Sequence, residues 1–261
     1  MERWRGRVAV VTGASAGIGA AIAYQLQDAG VTVVALARRV DKIPGAVEAA
    51  RQEAAVRGRE SPSRAPEQGK LHCLKCDVSK EDDIINAFKW VKDNAGGVDI
   101  LINNAGVVGK AKLTDTDTPE WRRLLDVNVL GLCICTREAI QQMRARGVDD
   151  GHVVHISSVA AHQDISYPGM EMYSATKHAV RVLTEGLRKE LVTAKSKIRV
   201  TEVSPGLVRT EIFETLGIDV EMIWKLPYLF PEDVANSVLY ALATPPHVQV
   251  HEMILKPLGE E

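Results

Sequence analysis

The sequence predicts a doubly wound α/β fold, a central parallel sheet of about seven strands with helices on both faces. Three observations predict it. Short apolar runs alternate along the chain with segments that are apolar at helical spacing. The first run ends in a glycine-rich turn that opens a helix. No repeat or composition break interrupts the alternation, so residues 1–261 read as one domain. Strands separated by helices re-enter the sheet in the same direction, which makes the pairing parallel and covers both faces.

The elements follow in order. "RVAVVTG" is a buried strand bounded by glycine. Ile18, Ile22, Leu26 and Ala29 then recur at helical spacing, and Gly30 closes that helix. "VTVVALA" and "KLHCLKCDV" are the second and third strands, separated in part by the polar, Pro/Gly-containing loop Arg57 to Gly69. Ser79 with Asp82 predicts a capping box for a helix whose apolar face carries Ile84, Phe88 and Val91. "VDILINN" is the fourth strand, and Thr118 and Pro119 predict the cap and first residue of a long helix. "HVVHIS" is the fifth strand. A helix carrying Tyr173 and Lys177 leads to "IRVTEV", the sixth, and Pro231 with Glu232 and Asp233 starts a last helix.

The chain has 261 residues, 46% apolar and 25% charged, which is ordinary globular composition. A net charge of -2 gives no reason to expect nucleic acid or an anionic membrane as partner. Arg3, Arg5 and Arg7 before the uncharged run Val8 to Gln27 imitate a secretory signal. The hydroxyls and glycines inside that run fit a strand, a turn and a helix better. Four cysteines suit a reducing, cytoplasmic setting. Cys73/Cys76 and Cys133/Cys135 lie in apolar segments without a His or Cys at finger-like spacing, so we expect no metal site from them.

"TGASAGIG" places Gly13, Gly17 and Gly19 between the first strand and the first helix. Glycine there permits a tight turn and lets a pyrophosphate approach the amides of a helix N-terminus, as in a Rossmann-type dinucleotide site. No Gly-Lys-Ser/Thr follows, which excludes a P-loop. Arg38 and Arg39 stand at the end of the second strand, where an acid would favour NAD by bonding the ribose hydroxyl. A planar guanidinium pairs with a 2′-phosphate instead, so NADP(H) is preferred over NAD(H). Ser15 is in the same neighbourhood. A solvated basic loop is the bland alternative for the two arginines.

Tyr173 and Lys177 sit one helical turn apart. Moving hydride between a nicotinamide and a carbonyl carbon requires a proton donor or acceptor at the oxygen. A free tyrosine, with a pKa of about 10, is a poor base, and a neighbouring ammonium favours its phenolate.

With "TGASAGIG", "NNAG" (Asn103 to Gly106), the stretch ending at Asn128, "ISS" ending at Ser158, "YSATK" and "SPG" (Ser204 to Gly206) in this order, the chain resembles the short-chain dehydrogenase/reductase family. "MERWRGRVAVVTGAS" and "VLGLCICTREA" are similar to its insect farnesol dehydrogenase branch, itself similar to vertebrate cytosolic ketosteroid reductases. The resemblance implies a catalytic set of Asn128, Ser158, Tyr173 and Lys177. Ser158 would bond the substrate oxygen, with Ser157 as its rival. Lys177 would also bind the nicotinamide ribose, and Asn128 would extend a proton path through water to Lys177. It further implies cofactor contacts at Gly13, Ser15, Gly17, Ile18, Gly19, Arg38, Arg39, Asp77, Val78, Asn104, Gly106, Tyr173, Lys177, Pro205, Gly206, Val208 and Thr210. A homodimer or homotetramer is implied, with the helices from Pro119 and Tyr173 as a possible interface.

After Thr210 the chain turns apolar, from Ile212 and Phe213 through Leu216, Ile218, Met222, Trp224 and Tyr228 to Phe230. Residues 207–230 read either as a lid over a hydrophobic alcohol or carbonyl substrate, or as a packing or subunit contact. His162, in a second loop with Asp164, reads as loop surface, and His178 gains no role. The reading is an oxidoreductase acting on an isoprenoid such as farnesol or farnesal, a retinoid or a steroid. The alternative is a non-catalytic dinucleotide-sensing protein, whose mark would be loss of Tyr173 or Lys177.

Overall fold

A computed structural model describes residues 1–58, 65–163, 168–217 and 220–260. Seven parallel strands form one sheet: β1 (Val8–Thr12), β2 (Thr32–Ala37), β3 (Leu71–Lys75), β4 (Ile100–Asn103), β5 (His152–Ile156), β6 (Arg199–Pro205) and β7 (Glu252–Leu255). Their order is β3-β2-β1-β4-β5-β6-β7, every pair parallel. The order reverses between β1 and β4, and a doubly wound sheet opens a crevice at such a point.

The helices are α1 (Gly17–Asp28), α2 (Ile43–Val56), α3 (Glu81–Ala95), α4 (Thr118–Leu125), α5 (Leu132–Ala145), α6 (Glu171–Thr193), α7 (Val220–Ile223) and α8 (Pro231–Ala243). Strand side chains alternate between two cores. Ala9 and Val11 join residues of α1, α2 and α8 on one face, while Val8 and Val10 join residues of α3, α5 and α6 on the other. Both faces of the inner strands are dry, which explains their unbroken apolar runs.

Several local expectations shift. The Ser79–Asp82 capping box does not form. Asp77 accepts bonds from the Ser79 amide (3.1 Å) and hydroxyl (2.8 Å), and Asp83 accepts from the Asp77 amide (2.9 Å). The carboxylates outcompete the serine because they are stronger acceptors at a helix N-terminus. α4 starts one residue early, with Asp117 as its cap and Thr118 already helical. Ala29 caps α1, and Gly30 follows with φ +81°. α2 and β7 carry weaker sequence patterns than their neighbours. Of the loop from Arg57 to Gly69, residues 59–64 lie outside the described residues, as do Asp164 and Ile218. Arg57 is no loop-surface residue: it pairs with buried Glu232 on α8 at 2.6 Å and stacks over Phe230.

The arginines that imitate a signal sequence flank an anchor. Trp4 is fully buried and donates from its indole to the Leu242 carbonyl at 2.8 Å, while Arg7 grips Asp150 with two bonds of 2.6 and 2.7 Å. Among the described residues no helix is long and apolar enough to cross a membrane. Cys76 and Cys135 are buried in one apolar cluster, and burial pushes the Cys76 thiol up to about 12. Because Trp4 fills the space between the chain's start and α8, Trp4→Ala is expected to cost about 3–5 kcal/mol. The urea midpoint measures this.

Candidate active site

A cleft of about 460 Å³ opens at the carboxyl ends of the inner strands, at the point where the strand order reverses. Its floor is the glycine turn. Gly13 has φ +69° and Gly17 φ +51°, backbone that side chains rarely tolerate. A Cβ on Gly13 would stand 2.8 Å from Ala105 Cα, and one on Gly19 would collide with the Gly13 carbonyl and the Asn104 amide. A knot of hydrogen bonds fixes this approach. The Thr12 hydroxyl accepts from the Asn104 and Ala105 amides, both at 3.0 Å. Asn104 Nδ2 donates back to the carbonyls of Thr12 (2.9 Å) and Gly13 (3.2 Å). The N-terminus of α1 therefore faces the cleft across a backbone stripped of side chains, which fits a pyrophosphate.

Arg38 and Arg39, both exposed, line the cleft beside Asp77 and Val78. Arg39 bonds Glu211 at 3.2 Å, so an acid from beyond β6 sits on this guanidinium. Thr210 crosses the glycine turn so closely that its Cγ2 would be 2.9 Å from a Cβ on Gly17.

The opposite wall carries Ser158, Tyr173 and Lys177. Ser158 follows β5; its hydroxyl accepts from the Ala160 amide at 3.1 Å and hydrogen-bonds Tyr173. Ser157 also lines the cleft, but its buried hydroxyl acts on Glu202 on β6. Lys177 is 6% exposed, lies 5.7 Å from the Tyr173 ring centroid and donates to the Ile156 carbonyl at 3.1 Å. Burial drives the Lys177 amine down to about 8, with Glu202 opposing. Burial raises the Tyr173 phenol above its ordinary value, and the Ser158 bond opposes that. The Tyr173 phenol is therefore not depressed as the i,i+4 spacing suggests: Lys177 is held on a carbonyl, and burial dominates at the phenol.

Asn128 does not line the cleft. It occupies a π-helical turn, Asp126–Gly131, between α4 and α5. Its side-chain amide is committed: Oδ1 accepts from the Val107 amide (2.8 Å), and Nδ2 donates to the Val107 carbonyl (2.9 Å) and the Thr176 hydroxyl (3.1 Å). It thus ties β4's extension to α6 one turn from Tyr173. Gly19 also stands behind the lining, while every other expected catalytic or cofactor residue is on it. Sequence reasoning missed Thr12 and Arg123. Arg123 lines the cleft, donates to the Val108 carbonyl at 3.0 Å and pairs with Glu120. Neither belongs to a motif that spacing alone could mark.

The apolar segment 207–230 is clipped at its base, where Arg209 donates to the Leu229 carbonyl (2.9 Å) and Leu229 to that of Leu207 (2.8 Å). Ile212 and Phe213 line the cleft and pack with Tyr173 against Val108, Met170 and Leu216. Phe213, Trp224, Tyr228 and Phe230 follow edge to face, with Arg209 over Trp224 and Tyr228. Met222 and Leu226 are exposed.

A nucleotide-shaped cradle opposite a tyrosine, lysine and serine on a doubly wound sheet defines an oxidoreductase of dinucleotide-dependent type. The chain belongs to the short-chain dehydrogenase family, whose model matches residues 7–221. It is 48% identical over 264 residues to a farnesol dehydrogenase of Aedes aegypti, with both chains covered completely. It is 44% identical over 262 residues to dehydrogenase/reductase SDR family member 11 of Mus musculus, covering 98% of this chain and 96% of that one. Among solved structures it is similar to an alcohol dehydrogenase from the archaeon Thermococcus sibiricus complexed with 5-hydroxy-NADP, at 27% identity and a TM-score of 0.79, over 98% of each chain.

The buried ammonium has a measurable consequence. A fall from 10.5 to about 8 penalises the charged form by on the order of 3 kcal/mol. The unfolded chain binds more protons across that window, so stability rises with pH there. Below about pH 8, Lys177→Met is expected to be more stable than the parent, with the advantage shrinking toward pH 10.5. Urea midpoints across this range test it.

Proposed function

We propose that this oxidoreductase is NADP(H)-dependent and works on small hydrophobic alcohols and carbonyls, an isoprenoid such as farnesol or farnesal first, a retinoid or steroid next. The observation that carries the reading is the meeting of Tyr173, Ser158 and Lys177 with the apolar patch of Val108, Met170, Ile212, Phe213 and Leu216 on one cleft. A primary alcohol at the end of an apolar chain suits both parts. The farnesol dehydrogenase name of the mosquito relative supports the same substrate class.

Gly13, Ser15, Gly17 and Ile18 would hold the pyrophosphate, with Gly19 giving the turn its close approach. Asp77, Val78, Asn104 and Gly106 would line the adenine and ribose side, and Pro205, Gly206, Val208 and Thr210 the nicotinamide side. When bound, the nicotinamide supplies or accepts the hydride. The residues manage the proton. In reduction Tyr173 Oη gives its proton to the oxygen that gains charge; in oxidation it takes one. Ser158 donates a hydrogen bond to that same oxygen and so holds it against Tyr173. Lys177 carries a positive charge beside the ring, which favours the phenolate once it turns from the Ile156 carbonyl. Asn128 keeps α6 and the strand-four loop in register, supporting a water path to Lys177. The position of Ser158 against Tyr173, and of Ser157 against Glu202, supports Ser158 as the working serine.

A 2′-phosphate would take over Arg39 from Glu211, with Arg38 beside it, because a dianion is the stronger partner. The NADP derivative bound to the archaeal relative supports this preference. We place the enzyme in the cytoplasm as a single-domain homodimer or homotetramer. Exposed Leu125 and Leu130 on α4 and the π turn, with Val182 and Val192 on α6, support a subunit contact there.

Tyr173→Phe is expected to cut kcat with farnesol at least about 10²-fold while leaving NADPH affinity within a factor of about two. Steady-state kinetics and fluorescence titration read the two separately, and normal turnover by the variant would remove Tyr173 from the mechanism. Arg38→Asp is expected to raise KM for NADPH roughly 10-fold or more with little change for NADH, since the loss is of one charge-assisted contact. Equal effects on both cofactors would take Arg38 out of this role.

A further inference from the structure

Among the described residues, a second group of ionisable side chains converges outside the cleft. Glu202 on β6 is 2% exposed, and Glu252 on the edge strand β7 is its partner in the register. His162, expected on the loop surface, follows the turn after Ser158 and is half-buried against them. One ligand-type atom from each of the three lies within 4.8 Å of the other two. His162 Nε2 is 2.7 Å from Glu252 Oε1 and 3.2 Å from the Ser204 hydroxyl. Ser204 in turn donates a long bond of 3.5 Å to Glu202 Oε1.

The group is short of positive charge. Burial and Glu252 both act against a charged Glu202. Arg188 and Arg181 act in its favour from α6, but the Arg188 guanidinium is bonded to Glu185 and to the carbonyls of Val200 and His251. The Ser157 hydroxyl, on a residue 4% exposed, faces the Glu202 carboxyl and favours its charged form. A buried acid, a second acid whose Oε1 has no hydrogen-bond donor of normal geometry among the described residues, and an imidazole around one point are the surroundings of a cation.

We propose that His162, Glu202 and Glu252 form a binding site for a divalent transition cation, Zn²⁺ above all. One imidazole nitrogen and two carboxylate oxygens are a common zinc donor set, and a water or Ser204 completes four-coordination. Mg²⁺ prefers an octahedron of oxygens and is disfavoured by the imidazole. Zinc bonds of about 2.0–2.2 Å require the three atoms to draw closer than they now stand. The partly exposed His162 and Glu252 make that movement, while Glu202 is fixed within the sheet. The ion ties the edge strand and the segment behind Ser158 to β6. The site is independent of the dinucleotide and of the substrate assignment.

The test is calorimetric titration of metal-free protein with ZnCl₂, together with thermal unfolding. One Zn²⁺ per chain is expected, with Tm raised by roughly 5 °C at a hundredfold excess over Kd. His162→Ala and Glu252→Gln, both at partly exposed positions, are expected to keep the metal-free Tm and lose both effects, and MgCl₂ is expected to produce neither. Glu202→Gln is the third variant, expected to fold and to bind Zn²⁺ at least 10-fold more weakly. No saturable binding by the parent protein overturns the proposal. So does undiminished one-to-one binding in His162→Ala and Glu252→Gln, which would put the ion elsewhere, for instance on the cysteines.

Discussion

The contact on which the rest depends is the near touch between the first glycine turn and the end of β4. Thr12 and Asn104 exchange hydrogen bonds across it, and Gly13 and Gly19 leave no room for a methyl group. Parallel strands need no such closeness to pair. The closeness sets where α1 begins, and its exposed amides therefore point into the crevice at the strand reversal. Everything on the opposite wall is arranged relative to that fixed edge.

On that wall the protein holds a strained charge state. An amine almost wholly removed from water, with the Ile156 carbonyl as its one hydrogen-bond acceptor among the described residues, is a poor element of a stable core. Glu202 favours its charge, while His155 on the same side adds none. His155 is pushed down to about 3 by burial and the neighbouring Arg188 and Lys177, and bonds the Thr184 hydroxyl at 2.8 Å. The site thus concentrates polarity that the surrounding sheet excludes, a pattern common where chemistry limits stability.

The fold was legible because its signals are local. Apolar runs, glycine at turns and helical spacing each act over a few residues, and they located six strands and the helix of Tyr173. α2 escaped because its apolar residues are mostly alanines, and β7 because four residues at a sheet edge, half-exposed, carry little pattern. Motifs located nearly all of the cleft, most of them at strand ends and one, with Tyr173 and Lys177, on the first turns of α6. What sequence could not supply was geometry between distant segments. Thr12, Arg123 and the Arg39–Glu211 pair acquire meaning only when strands far apart in sequence are side by side. The direction of the Tyr173 shift also escaped, because spacing reveals which charge is near but not how dry the pocket is.

The clip at the base of segment 207–230 separates two problems that the chain must solve. Leu207, Arg209 and Leu229 bring the ends together by backbone bonds, so the distance between β6 and α8 is set without reference to what lies between. Backbone clips read no side chains. The intervening stretch is nonetheless not detached from the cleft: Thr210 crosses the glycine turn, Glu211 reaches Arg39, and Ile212 and Phe213 pack with Tyr173. One short stretch of chain thus touches both ends of the cleft while its own ends are fixed by main-chain bonds.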